Sequence, residues 1–196
     1  ADIIQLNWFG TEEIIKKALP NKKTIVFPWG LDSAYFETNK NEVENTFTKD
    51  FLQTISVDKF SFFYPKSFSQ ASDHLSIIEA SNILVQKGIT AFEVFFWLGN
   101  VTDQKLEEQY TKKIQEYKLN DIVKIVKHPF LDFEDIIAIW KKMNAGLQIA
   151  INDQFSTTVI EPLLLKKDMI ITDIFPYQKL IEMYPKLDLE LTPLDA

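Results

Sequence analysis

The sequence Val-Phe-Phe-Trp-Leu occupies residues 94–98 and contains no polar side chain. A strand with one face in water alternates apolar and polar residues, whereas a strand buried on both faces is continuously apolar. Residues 169–171, Met-Ile-Ile, show the same continuous pattern. Because strands of this kind are typical of parallel sheets covered by helices on both faces, the two segments predict an α/β fold.

Strand-like and helix-like segments alternate along the chain. The predicted strands are residues 24–28, 59–64, 92–98, 122–127, 146–151 and 169–172, with a further candidate at 187–191. The predicted helices are residues 73–86, 102–117, 133–143, 157–165 and 176–183. This order implies right-handed crossovers and a Rossmann-like, doubly wound, mainly parallel sheet. We predict one domain over residues 1–196, in which residues 1–20 form a leader or linker helix.

Composition excludes several classes of protein. The chain has 196 residues, 46% of them hydrophobic, which is too apolar for a disordered protein. No apolar run is long enough to span a membrane. The absence of cysteine excludes disulfides and thiolate metal sites, and the two histidines suggest no metal site. The net charge of -7 argues against nucleic-acid binding, and all 21 basic residues are lysine.

Ligands of doubly wound sheets bind outside the carboxyl ends of the strands, so the loops that follow the predicted strands are the candidate sites. The chain has only five glycines and lacks both the three-glycine dinucleotide fingerprint and a P-loop. A nicotinamide enzyme or an NTPase of the usual type is therefore not expected.

Two acidic residues, Asp153 and Glu161, flank a Ser/Thr-rich turn that opens a predicted helix. Ser156, Thr157 and Thr158 place hydroxyl and N–H groups at the helix N-terminus, where a diphosphate can bind. The two carboxylates can accept hydrogen bonds from sugar hydroxyls on either side of the phosphates. A purely structural interpretation also stands, in which Asp153 and Ser156 cap the helix and Glu161 is solvated.

With these residues identified, the chain resembles the C-terminal domain of retaining group-4 glycosyltransferases, which have the two-Rossmann-domain GT-B architecture. Asp153 and Glu161 occupy the two positions of the family's acidic pair separated by seven residues, and Phe155 matches an aromatic residue between them. Residues 25–32 match the family's strand followed by Pro-Asn-Gly-Val-Asp, with Gly30 at the glycine. Lys66 stands where the family has arginine. The resemblance covers roughly residues 3–185.

The resemblance implies a role for each matched residue. Glu161 would hold the ribose of a nucleotide-sugar donor, Asp153 would contact the transferred sugar, and Lys66 would neutralise the diphosphate; these three are the candidate catalytic residues. The loop 128–131 would flank the nucleobase. The implied substrate-binding residues are Gly30, Pro129, Phe130, Phe155, Ser156, Thr157, Thr158 and Val159, and the amides of residues 155–159 would face the diphosphate or the sugar. Neither a metal ion nor another cofactor is expected, and the donor would be UDP- or GDP-linked.

The chain departs from the family at charged positions. Lys66 supplies a point charge where arginine would bind a phosphate bidentately. The family's second basic residue has no clear match, because residues 72–74 are Ser-Asp-His. His74 could serve when protonated, although a histidine at a helix start is more often a surface residue. Asp153 is one methylene shorter than the usual glutamate.

The resemblance thus implies the donor-binding half of a transferase, here a hexosyltransferase-type enzyme of polysaccharide, lipopolysaccharide or related glycoconjugate biosynthesis. A glycan or lipid-linked acceptor would bind through an N-terminal domain that this chain lacks, so the chain alone is expected to be inactive. The expected location is the cytoplasm, and peripheral association of the whole enzyme with the inner face of the membrane is a further option. The alternatives are an epimerase-like domain of the same architecture and a non-catalytic interaction module that retains the fold.

Overall fold

Strands and helices alternate along the chain, as the sequence predicts. The computed structural model describes residues 2–6, 9–26, 43–99, 102–128, 131–153, 156–186 and 191–193. The strands are β1 (Ile3–Leu6), β2 (Lys23–Val26), β3 (Phe60–Tyr64), β4 (Phe92–Leu98), β5 (Val123–Lys127), β6 (Ala145–Gln148), β7 (Asp168–Thr172) and β8 (Leu191–Thr192). The helices are α1 (Phe9–Ala18), α2 (Thr46–Thr54), α3 (His74–Gln86), α4 (Gln104–Glu116), α5 (Phe133–Lys142), α6 (Thr157–Leu164) and α7 (Phe175–Met183).

The main sheet has six parallel strands in the order β5–β4–β3–β6–β7–β8. The chain runs outward from β3 to β5 and then returns to the other side of β3 through β6, where Phe62 pairs with Ala145. The predicted Rossmann-like, doubly wound sheet is confirmed. A topological switch point therefore lies between β3 and β6, the place where such sheets bind ligands.

Strand β4 is buried along its whole length, as the continuous apolar run at residues 94–98 predicts for that part of it. Val94 and Phe96 belong to a core cluster that includes side chains of α3 and α4. Phe95 and Trp97 face the opposite side and pack with side chains of α2 and α5. Burial of each such side chain contributes about 1.5–3 kcal/mol, so this strand anchors both layers of helices to the sheet.

Two parts of the fold differ from the prediction near the start of the chain. Residues 1–20 contain α1 and also β1, which pairs in parallel with β2 in a two-stranded sheet separate from the main one. Helix α2 is not predicted. Its N-cap is Asn45, whose side chain accepts a hydrogen bond from the Phe47 N–H at 2.9 Å, and Phe51 anchors it in the core.

Strand β6 ends at Gln148, three residues before the predicted end. The following residues leave the ladder because they pair in the antiparallel sense with the loop after β3, Ser72 opposite Ala150. The Asp73 N–H donates to the Ile149 carbonyl and the Ile151 N–H to the Ala71 carbonyl, both at 3.0 Å. These bonds clamp together the two loops that flank the switch point.

Among the described helices, none is both long enough and apolar enough to cross a bilayer.

Candidate functional site

The loops after β3 and β6 bring the predicted cation and the first predicted carboxylate together at the switch point. Lys66 lies in the loop after β3, and its Nζ is 3.2 Å from Asp153 Oδ2 and 3.1 Å from Ser156 Oγ. The Lys66 and Asp153 side chains are only 22% and 15% exposed. Because both charges are mostly shielded from water, their attraction is stronger than that of a surface pair.

Asp153 is held by residues from three different elements. Its Oδ2 accepts hydrogen bonds from Lys66, from the Gln148 side-chain amide on β6 and from the Tyr177 hydroxyl on α7, the last at 2.8 Å. Burial, with the neighbouring Asp153 carboxylate, raises the pKa of the Tyr177 hydroxyl well above its usual value, so that hydroxyl remains a donor. The carboxylate is therefore fixed in place rather than swinging freely at the end of a loop.

Gln148 connects this carboxylate to the start of α6. It is fully buried, and its Oε1 accepts a hydrogen bond from Thr158 Oγ1 at 2.9 Å. Sequence reasoning missed both Gln148 and Tyr177. A signal for Gln148 existed, because it is the one polar residue among six at positions 146–151, at the carboxyl end of a buried strand. Tyr177 carried no comparable signal.

Helix α6 points its N-terminus at this cluster. Ser156 occupies the N-cap position, but its side chain makes no capping hydrogen bond with the backbone N–H groups of the first turn. Its hydroxyl instead contacts Lys66 and, at 2.7 Å, Thr158 Oγ1. The structural interpretation of Ser156 as a side-chain cap is therefore wrong, and the N-terminal end of the helix dipole adds to the positive charge of Lys66.

The predicted role of the Val159 amide conflicts with the structure. The Val159 N–H donates to the Ser156 carbonyl at 3.1 Å, and the side chain is buried in the core cluster of α6 and α7. Val159 is thus a core residue of the first helical turn. Thr157 and Thr158 are half-buried at the helix N-terminus, where the sequence places them.

Glu161 lies on the side of α6 that faces α5. It is half-buried, and its Oε2 accepts a hydrogen bond from Trp140 Nε1 at 3.3 Å. Trp140 itself is fully buried in the core. The interpretation of Glu161 as a solvated helix residue is wrong, because a core indole fixes one of its carboxylate oxygens.

His74 is neither a surface residue nor a second cation. Its side chain is fully buried, with Nε2 2.9 Å from the Lys66 carbonyl oxygen and Nδ1 3.2 Å from that of Ser72. Burial lowers the pKa of the imidazole to about 4, so the ring is neutral near pH 7. Lys66 is therefore the cation that the described residues supply at this cluster.

Some predicted residues cannot be placed. Phe155, Pro129, Phe130 and Gly30 lie outside the described residues, and their assigned roles stay predictions. His128, at the start of the predicted nucleobase loop, is half-buried and packs its ring against Phe47 at 4.3 Å between centroids.

The cluster at the switch point does not line the cavity beside α3, and the described residues form no metal-ligand cluster there. This cavity of about 250 Å³ lies between α3 and the main sheet, where residues of β3, β4 and β6–β8 line it, largely with apolar side chains such as Phe62, Leu147 and Ile170. Lys66, Asp153, Ser156 and Glu161 do not line it. Within the described ranges, no group of three or more His, Asp or Glu residues is arranged to hold a metal ion. The candidate site is therefore defined by its polar network and its place in the sheet.

No protein-family model matches the sequence, and no curated protein sequence matches it. The fold, in contrast, is similar to that of several solved structures. A glycosyltransferase from Rickettsia africae aligns with a TM-score of 0.74 and 15% identity, over 98% of this chain and 48% of that one. HepE from Anabaena, solved in complex with UDP and glucose, aligns with a TM-score of 0.73 and 14% identity, over 92% of this chain and 47% of that one.

A sucrose-phosphate synthase from Thermosynechococcus elongatus aligns with a TM-score of 0.72 and 17% identity, over 100% of this chain and 46% of that one. The chain thus spans about half the length of the solved structures that it matches. At these identities the likeness shows the fold, which is that of one half of such two-part proteins.

Proposed function

We propose that this chain is the donor-binding half of a retaining GT-B glycosyltransferase and holds the diphosphate of a nucleotide sugar between Lys66 and the N-terminus of α6. The observation that carries the proposal is the meeting of Lys66, Asp153 and Ser156 at the switch point. The fold similarity to HepE, which was solved with UDP and glucose, supports the same choice of ligand.

Each group has a chemical task in this proposal. Lys66 and the α6 N-terminus stabilise the negative charge that develops on the leaving diphosphate as the glycosidic bond breaks, which is the main way such a site lowers the barrier. Asp153 accepts hydrogen bonds from hydroxyls of the transferred sugar, and Glu161 from those of the ribose. The cation and the helix end make a metal ion unnecessary.

The donor has to displace one existing contact. Lys66 is paired with Asp153, so a bound diphosphate competes with that carboxylate for the ammonium group. Reorganising a shielded ion pair costs free energy, which lowers donor affinity relative to a site with an unpaired arginine.

The wider enzyme is also part of the proposal. The matched structures are about twice as long as this chain, and the second half would hold a glycan or lipid-linked acceptor in polysaccharide or lipopolysaccharide biosynthesis. A UDP- or GDP-linked hexose is the proposed donor. The chain by itself should therefore bind the donor and transfer little sugar.

A second candidate is a non-catalytic module that keeps the fold without a donor. The same ion pair favours it, because Asp153 neutralises Lys66 and the neutral His74 supplies no further positive charge. The two candidates differ in whether a nucleotide binds at Lys66.

Calorimetric titration with UDP, GDP and their hexose conjugates tests the proposal. We expect one nucleotide series to bind, and Lys66→Met to weaken binding by at least about tenfold, the loss of one charge-assisted contact. Lys113→Met is the matched control, because it breaks the Lys113–Glu79 ion pair on the surfaces of α3 and α4. No binding by any ligand supports the non-catalytic module, and binding that Lys66→Met leaves intact places the site elsewhere.

A further inference from the structure

His74 closes the loop that carries Lys66. It is the first residue of α3, and its imidazole reaches back across the loop to the Lys66 carbonyl oxygen, 2.9 Å from Nε2. The Lys66 N–H is also bonded, to the Tyr64 carbonyl at 3.0 Å. Both polar groups of the Lys66 main chain are therefore fixed, and its flexible side chain starts from a fixed Cα.

The surroundings of His74 hold the ring in one orientation. Tyr64, Phe68 and Phe96 contribute aromatic rings with centroids 4.6, 4.5 and 4.9 Å from the imidazole. Close-packed aromatic neighbours leave little rotational freedom to a buried ring. A neutral imidazole has one N–H, and in the tautomer that carries it on Nε2, the nitrogen with the shorter contact, that N–H donates to the Lys66 carbonyl.

The loop that carries Lys66 is also tied to the end of β4 and to the loop that leads to Asp153. The Ser67 hydroxyl accepts a hydrogen bond from the Gly99 N–H at the end of β4, at 3.2 Å. Further along, the Asp73 N–H donates to the Ile149 carbonyl in the loop that leads to Asp153. His74 directly follows the second of these anchor points and adds a third, its own contact with the Lys66 carbonyl.

We propose that His74 is a positioning residue for Lys66: its buried Nε2–H holds the Lys66 carbonyl so that the ammonium group points at the diphosphate site. This inference rests on the proposed function. His74 acts through the main chain of Lys66 and touches no ligand itself. Only a side chain that carries a donor at the reach of Nε2 can replace it.

The test uses inorganic pyrophosphate, which lacks base and sugar and so reports on Lys66 and the α6 N-terminus alone, with UDP and GDP titrated in parallel. We expect His74→Phe and His74→Asn to weaken pyrophosphate binding about tenfold, the loss expected when one hydrogen bond no longer positions a charge. His74→Gln, whose amide reaches as far as Nε2, should stay within about twofold of the original chain. The Gln and Asn variants carry the test if His74→Phe does not fold, because they differ in reach and share the same chemistry.

Two further variants separate positioning from a general loss of structure. In a Lys66→Met background His74→Phe should cause no additional loss, since its effect passes through Lys66. Tyr110→Phe is the matched control, because Tyr110 stacks on the imidazole without bonding Lys66, and it should bind pyrophosphate normally. Normal binding by His74→Phe and His74→Asn, or an equal loss in the Lys66→Met background, overturns this inference alone. Failure of the original chain to bind pyrophosphate, UDP or GDP overturns the proposed function and this inference with it.

Discussion

Lys66 Nζ and Asp153 Oδ2 lie 3.2 Å apart, although 87 residues separate the two in sequence. The contact joins the loops after β3 and β6, the two strands between which the direction of winding reverses. It places a cation where a diphosphate is expected and a carboxylate where a sugar is expected. Lys66 and Asp153 also form an ion pair with each other when no ligand is bound. The charge on Asp153 therefore controls how readily Lys66 can bind a phosphate.

Asp153→Asn should therefore have opposite effects on the binding of the diphosphate and on the binding of the sugar. Loss of the carboxylate charge releases Lys66, and we expect the affinity for free UDP or GDP to rise about tenfold, as removal of a competing ion pair allows. The advantage of the hexose conjugate over the free nucleotide should fall, because a sugar hydroxyl loses its charged acceptor. Calorimetry with both ligands measures this ratio, and weaker binding of the free nucleotide would contradict the competition between Asp153 and the diphosphate.

Glu161→Gln and Glu161→Ala should weaken the contacts with the nucleoside and leave the contacts with the phosphates unchanged. If the carboxylate holds ribose hydroxyls, the alanine variant lowers nucleotide affinity about tenfold or more, the range for a charge-assisted hydrogen bond. Inorganic pyrophosphate should bind both variants as it binds the original chain. Since Glu161 also accepts from Trp140, the thermal midpoint of each variant has to be measured beside the titration. An equal loss for nucleotide and pyrophosphate would remove the ribose assignment.

Sequence predicts best those elements whose limits depend on residues within the element or next to it. Strand β4 has its predicted limits, residues 92–98, because every position from 94 to 98 is apolar and both faces are buried. Helix α3 begins one residue after its predicted start, with Asp73 as the N-cap. The meeting of Lys66 with Asp153 follows from topology, because both residues were placed in loops at the carboxyl edge of a doubly wound sheet.

The parts that sequence did not predict depend on contacts between distant segments. His74 is buried because aromatic rings from β3, β4 and the loop between β3 and α3 surround it. The residues next to it in sequence do not predict this burial. Strand β6 ends at Gln148 because the next residues form hydrogen bonds with the Ala71–Asp73 loop. Tyr177 reaches Asp153 from α7, 24 residues later in the chain. Such contacts exist only after the layers have packed.

An ion pair between the fully buried Glu93 and the half-buried Lys124, away from the candidate site, should contribute to stability. The Glu93 side chain is fully buried, with Oε2 2.8 Å from Lys124 Nζ and Oε1 accepting from the Ser56 N–H at 2.8 Å. Lys124→Met leaves that carboxylate buried with the Ser56 N–H as its remaining described bond. We expect the free energy of unfolding to fall by more than the ~1 kcal/mol of an exposed pair and by less than the about 3–5 kcal/mol of a fully buried one. Urea unfolding measures the change.

The matched control is Lys112→Met, which removes an exposed ion pair with Glu116 on α4. Exposed pairs one helical turn apart are worth about 0.3–0.5 kcal/mol, so this variant should unfold almost as the original chain does. Comparable losses in the two lysine variants would show that burial of Glu93 does not set the cost.

The buried imidazole of His74 should make stability depend on pH in one direction. Burial lowers its pKa in the folded chain to about 4 from 6.5, so between these values the unfolded chain binds the proton and the folded chain does not. Unfolding is therefore favoured as pH falls, and the contribution of the neutral ring is complete above pH 6.5 and is lost toward pH 4. A shift of this size corresponds to about 3 kcal/mol at 1.36 kcal/mol per pH unit.

Urea unfolding at pH 7, 5.5 and 4.5 measures this dependence. The free energy of unfolding should fall more steeply for the original chain than for His74→Gln, in which position 74 cannot titrate while all carboxylates remain. Parallel curves for the two proteins would mean that the imidazole takes up its proton in the folded chain as readily as in the unfolded one.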